Sequence, residues 1–130
     1  MSPDENKAFI RRYITAISGE AKTDALLSQY ISDPELRRFI GAFEAGFPSY
    51  ELQVEDMIAE SDKVVVRATF RGKHLGEVRG VPATGNTVTF PVIIIYQLGD
   101  GKILRHWLAS DTLSLAQQIA AASLPAETVR

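Results

Sequence analysis

Apolar positions recur at helical spacing through the first part of the chain and at every second residue through most of the remainder. Phe9, Ile10, Tyr13, Ile14 and Ile17 fall on one helical face, and the segment ends at Ser18-Gly19. Ser2 can cap this helix, Pro3 suits its first position, and Glu5 completes a capping box. A second, shorter helix is predicted after a Thr23 cap, burying Leu26, Leu27, Tyr30 and Ile31. Asp33-Pro34 restarts the pattern, and Leu36, Phe39, Ile40 and Phe43 form one stripe until Gly46-Phe47-Pro48 stops it.

From Tyr50 the period changes to two. Tyr50, Leu52 and Val54 alternate with Glu51, Gln53 and Glu55, as in a strand buried on one face. After the polar turn 60–63, a strand rich in β-branched residues is predicted from Val64 to His74. Residues 75–86 read as a loop, and a third strand follows from Thr87 to Leu98. Gly99-Asp100-Gly101 is a hairpin signal, leading into a fourth strand from Ile103 to Ser110 and a helix from Thr112 to Ala122. Beyond Leu124 the chain is expected to fray. Helices first and hairpin-linked strands afterwards predict α+β architecture with an antiparallel sheet, in one domain over residues 1–130.

The third strand is apolar on both faces around Ile93 to Ile95. One face therefore meets the helices, and the other is expected to meet a second copy of the chain, giving a homodimer through the sheet.

Composition narrows the function classes. With 45% hydrophobic and 23% charged residues the chain is ordinary globular protein, not a disordered segment. It has no cysteine, which removes disulfides and thiolate metal sites, and its two histidines are not at ligand spacing. Neither a metal nor a cofactor is expected. Both signs of charge are scattered and the formal net charge is -2, so nucleic acid is not an expected partner. The longest apolar run, Val92 to Tyr96, is too short to cross a bilayer, and the N-terminus lacks a signal-peptide layout. A cytoplasmic protein with no membrane partner is expected. No serine stands in a nucleophile-elbow pattern.

A set of short motifs runs through the second half in order: Gly72-Lys73-His74-Leu75-Gly76-Glu77, Gly80-Val81-Pro82-Ala83-Thr84-Gly85, Val88-Thr89-Phe90, Tyr96, Asp100-Gly101-Lys102-Ile103, and Trp107 with Asp111 and Leu113. In these residues the chain resembles the SnoaL-like polyketide cyclase family, a branch of the nuclear-transport-factor-2-like fold. Ala83 stands where many members carry a second proline. The resemblance implies a cone of N-terminal helices on a curved antiparallel sheet with a C-terminal helix, enclosing an apolar pocket. It also implies ring closure by intramolecular aldol condensation without cofactor or metal, with the catalytic aspartate at position 111.

Asp111 is the first candidate for chemistry. Alternation puts it with Trp107 and Ala109, opposite His106, Leu108 and Ser110. If that face lines the pocket, desolvation makes the carboxylate a stronger base for removing a proton next to a carbonyl. Asp111 also opens the last helix, where aspartate is a favoured cap, and that role needs no chemistry. His74 shares the parity of Val66, Ala68 and Phe70; it is read either as a general acid or oxyanion partner, or as a strand-end residue bonded to the loop. His106 faces away in a regular strand, and only a bulge brings it inside. Trp107 is read as a pocket wall or plain core, with Tyr13 and Phe47 as further lining.

The leading expectation is a cofactor-independent pocket enzyme acting on a small hydrophobic, cyclic carbonyl compound, with Asp111 as base and His74 as acid. Two alternatives stay open. One is a noncatalytic binding or dimerisation module. The other is an epoxide hydrolase, for which Glu44, Glu51, Asp56 and Glu77 are possible second carboxylates.

Overall fold

The computed structural model describes residues 2–123. The tail expected to fray beyond Leu124 lies outside the described residues. In chain order the elements are α1 (Pro3–Ile17), α2 (Asp24–Ser28), α3 (Pro34–Gly46), β1 (Glu51–Glu60), β2 (Lys63–Lys73), β3 (Thr87–Gly99), β4 (Lys102–Ser110) and α4 (Thr112–Ser123). The architecture is α+β: helices at both ends around a four-stranded antiparallel sheet ordered β1-β2-β3-β4.

Local chemistry fixes the helix ends. The Ser2 hydroxyl accepts from the Glu5 N–H while the Glu5 carboxylate accepts from the Ser2 N–H, a complete capping box. Thr23 caps α2, and Asp33 caps α3 through its Oδ1, which accepts from the Glu35 N–H. The second helix is a single turn. Gln29 and Tyr30 follow it as a turn, with the Tyr30 and Ile31 N–H groups still donating to Leu27 O, and Ile31 then bridges to Ile103 beside β4, with Ile103 N donating to Tyr30 O and Ser32 N to Ile103 O.

The inner faces of α1 and α4 meet the sheet and supply Ile10, Tyr13, Ile14, Ile17, Leu115 and Ile119 to one core with alternate residues of β2 and β3. Val64, Val66, Ala68, Phe70, Gly72 and His74 all point inward along β2 and its end. Gly72 is required by packing: a Cβ there would stand 2.9 Å from the Phe47 Cβ and 3.2 Å from the Tyr50 Cβ.

Two bulges interrupt the ladder. One lies between Val54 and Asp56 in β1, and the other sets Gln97 opposite Arg105 but Leu98 opposite Ile103, leaving Leu104 as the extra residue. The second reverses the facing of β4. Counted from buried Ile103, a regular strand would turn Trp107 and Asp111 inward. With Leu104 inserted, Leu104 and Arg105 both face out, and His106, Leu108 and Ser110 turn inward instead. The expected facing of Trp107 and His106 is therefore corrected.

On the outer face, Ile58, Val65, Ile95 and Trp107 are successive partners across all four strands and form one apolar row. Trp107 is 40% exposed there, with the Arg105 guanidinium 4.9 Å from its ring centroid. No helix among the described residues is long and apolar enough to cross a membrane.

Candidate active site

An apolar cavity lies between α3, α1 and the inner sheet face. Its lining is almost wholly apolar: Leu36, Phe39, Ile40 and Phe43 from α3, Phe70 from β2, Phe90, Val92 and Ile94 from β3, and Leu108 from β4. The polar groups among its lining residues are the hydroxyls of Tyr13, Tyr50, Tyr96 and Ser110. Its volume is about 40 Å³, room for a few waters, whereas pockets for drug-sized ligands run to about 300–1,000 Å³. Phe39 and Phe43, their rings 4.8 Å apart and tilted by 40°, are only half-buried and form the cavity's outer wall.

His106 and Asp33 meet beside the cavity. The His106 Nδ1 lies 2.8 Å from the Asp33 Oδ2, with both side chains nearly buried. Asp33 is held by its capping bond at the other oxygen. With Asp33 ionised, Nδ1–H donates to it and the Nε2 lone pair is left free, the tautomer a proton acceptor needs. Neither residue lines the cavity itself, but the pair adjoins three that do. The Phe39 ring is 6.4 Å from His106, Leu36 follows Asp33 by one turn, and Tyr96 is the cross-strand partner of His106.

The residues singled out in the sequence are not all brought together. Tyr13 lines the cavity. Phe47 is fully buried one ring away, edge-on to Phe70 at 5.3 Å, and it lines a second cleft with Val78, Glu77 and Leu115. Asp111 is exposed; its Oδ1 accepts from the Ser114 N–H at 2.9 Å and its carbonyl from the Leu115 N–H, so it caps α4. Trp107 is on the opposite side of the sheet from the cavity.

His74 is fully buried. Its Nδ1 accepts from the Thr84 N–H at 3.3 Å and lies 2.9 Å from the Thr84 hydroxyl, which itself accepts from the Asn86 N–H. That arrangement puts the ring proton on Nε2, which has no hydrogen-bond partner among the described residues. With His74 N donating to Asn86 O and Gly85 N to His74 O, the ring latches the 75–86 loop against the sheet end.

Lys22, missed in the sequence, holds the cavity's end wall. Its buried ammonium donates to Glu20 O and Tyr50 O, lies 3.4 Å from Glu44, and sits 4.0 Å over the Tyr50 ring. Burial lowers its pKa, opposed by the Glu44 carboxylate. No periodicity marks such a residue. Burial raises the pKa of Tyr13, Tyr50 and Tyr96.

None of Glu44, Glu51, Asp56 and Glu77 lines the cavity, and the first three are in ion pairs with Lys22, Arg71 and Arg67. Among the described residues there is no cluster of three or more metal-ligating side chains.

Helices at both ends of the chain pack on the antiparallel sheet around an apolar cavity, with a histidine–carboxylate pair beside it. The chain belongs to the SnoaL-like polyketide cyclase family, whose model matches residues 10–119. It is similar in structure to AclR from Streptomyces galilaeus, with 24% identity, TM-score 0.80, and 95% of this chain and 100% of that one covered. A Jannaschia sp. CCS1 protein of SnoaL-like type has 22% identity and TM-score 0.80, covering 95% of each chain. TsrD from Streptomyces laurentii has 25% identity and TM-score 0.70, covering 88% of this chain and 97% of that one. At these identities the likeness is one of fold. No curated protein matches the chain.

Proposed function

We propose that the protein is a cofactor-independent enzyme that removes a proton next to a carbonyl of a hydrophobic, cyclic compound, with His106 as the base and Asp33 orienting it. The observation that carries this reading is the 2.8 Å His106–Asp33 pair, packed beside the lining residues Phe39 and Tyr96 of an aromatic cavity. The His106 Nε2 takes the α-proton, and the C–H electrons move into the carbonyl as an enolate. In a cyclisation the enolate carbon then bonds a second carbonyl carbon of the same molecule, and the imidazolium returns its proton to the new alkoxide. A positioned base of this kind contributes about 10²–10⁴-fold. A ligand of this class needs the cavity to widen, and Phe39 and Phe43 are the rings placed to swing. The outer apolar row serves a homodimer in this reading.

Deuterium exchange into a cyclic β-diketone, followed by NMR, tests the base without the natural substrate. His106→Gln is expected to lose about 10²-fold or more of the catalysed exchange, and Asp33→Asn a smaller share. Wild-type protein that accelerates nothing would end the enzymatic reading. A second reading is then favoured by the exposed, capping Asp111: a binding module that holds the same class of compound without turning it over.

A further inference from the structure

Three phenols reach the cavity from three different parts of the chain: Tyr13 from α1, Tyr50 from the turn before β1, and Tyr96 from β3. Each ring is nearly fully buried, and Tyr13 meets Tyr96 edge-on at 5.9 Å. The Tyr50 ring is fixed between the Lys22 ammonium at 4.0 Å and the stacked Phe70 ring at 4.9 Å. Among the described residues no hydrogen bond engages any of the three hydroxyls. The fully buried polar side-chain atoms without a partner among the described residues are Asn6 Oδ1 and His74 Nε2, so the three hydroxyls are unpartnered but open to the cavity, where a ligand oxygen can bond them.

We infer that Tyr13, Tyr50 and Tyr96 form a convergent donor site that receives the oxygen of a ligand carbonyl and of the enolate made from it. This rests on the cavity reading above and adds its specificity. The hydroxyls are electrically in view of one another. After burial, which dominates, Tyr96 and Tyr50 each oppose ionisation of Tyr13, and Tyr50 opposes that of Tyr96. All three therefore stay protonated as donors at working pH. Negative charge developing on a ligand oxygen strengthens bonds from such donors, and the Lys22 cation behind Tyr50 has the complementary sign. The site is next to the base, since Tyr96 and His106 are direct cross-strand partners and both face inward. Proton removal on one side and oxygen stabilisation on the other are the two halves of enolisation. The site selects a compound whose carbonyl oxygen enters first, at the closed end formed by the three rings.

The test uses two ligands of nearly equal shape, acetophenone and α-methylstyrene, which differ by an oxygen in place of a methylene group. Wild-type protein is expected to favour acetophenone by about tenfold or more, and each of Tyr13→Phe, Tyr50→Phe and Tyr96→Phe to cut that preference by about threefold to tenfold. Affinity for α-methylstyrene should be unchanged. The infrared carbonyl stretch of bound acetophenone is expected at lower frequency than in hexane and to return toward the hexane value in the triple variant. Removing an unpaired buried hydroxyl should not weaken the fold, so the variants' melting temperatures report that each remains folded. If both compounds bind wild type equally, or the preference survives the triple substitution, the donor site is refuted while the cavity reading stands. If neither binds, the cavity reading falls, and the donor site with it.

Discussion

Asp111 is where the family resemblance and the local geometry pull apart, and substitution there separates them. The carboxylate accepts one backbone N–H, from Ser114 at 2.9 Å, in the first turn of α4. Beyond that turn, Leu115 and Ile119 are buried in the core and Gln118 bonds both the N–H and the carbonyl of Thr89, so the helix remains anchored without its cap. Asp111→Ala removes the cap bond and the charge at the helix N-terminus, a loss of about 1 kcal/mol. For a domain of this size that lowers the melting temperature by about 3–5 °C. Asn also caps, so Asp111→Asn loses only the charge effect, about 0.3–0.5 kcal/mol at an exposed site, or about 1–2 °C. Differential scanning calorimetry reads both. In the deuterium-exchange assay both variants are expected to stay within about threefold of wild type, since general-base loss would cost about 10²-fold or more. The reasoning is refuted if Asp111→Asn keeps its melting temperature and loses exchange by that larger factor. Asp111 would then be the base, and His106 would pass to a structural role.

Three further outcomes are expected. Raised phenol pKa values mean that the folded state holds protons that the unfolded chain releases near pH 10. The phenols' contribution is therefore complete below about pH 10 and is lost as pH rises above it; urea titrations across that range should show wild type losing stability relative to Tyr96→Phe, and parallel curves would contradict the burial argument. Trp107→Arg places a charge in the outer apolar row and is expected to shift a dimer toward monomer in sedimentation equilibrium; a wild type that is monomeric at its highest soluble concentration removes the homodimer. Gly72→Ala forces a methyl to 2.9 Å from the Phe47 Cβ, and overpacking of that kind costs about 1–3 kcal/mol by urea denaturation.

Most of the fold was legible because each element carries its own local signal. The Ser2–Glu5 capping box, the Asp33-Pro34 restart and the Asp100-Gly101 turn all lie where the sequence puts them, and the alternation along β2 correctly turns Val66, Ala68, Phe70 and His74 inward. The departures are places where a distant part of the chain overrules a local one. Tyr30 and Ile31 fit a helical stripe and their N–H groups still bond to Leu27 O, but α2 goes no further because Ile103 takes the Tyr30 carbonyl and the Ser32 N–H. Lys22 reads as a solvated loop lysine, yet Tyr50 O and Glu44, both far along the chain, draw it in.

The candidate site was less legible, for a reason confined to one residue. Strand periodicity assigns faces only as long as the ladder is unbroken, and a single inserted residue exchanges the two faces for everything beyond it. Leu104 is that residue: it folds over Gly99, where any Cβ would meet its Cδ1 at 2.5 Å, so glycine at the end of β3 and the extra residue in β4 accommodate each other. The alternation of Trp107, Ala109 and Asp111 against His106, Leu108 and Ser110 is real in the structure; only its assignment to inside and outside is reversed. The same insertion serves both faces. It sends Trp107 out to complete the apolar row with Ile58, Val65 and Ile95, and it brings His106 in to Asp33 and Tyr96. Deleting Leu104 would ask the strand to bury Trp107 where His106 now stands and to expose His106 on the apolar face, so both the outer row and the His106–Asp33 pair depend on one bulge.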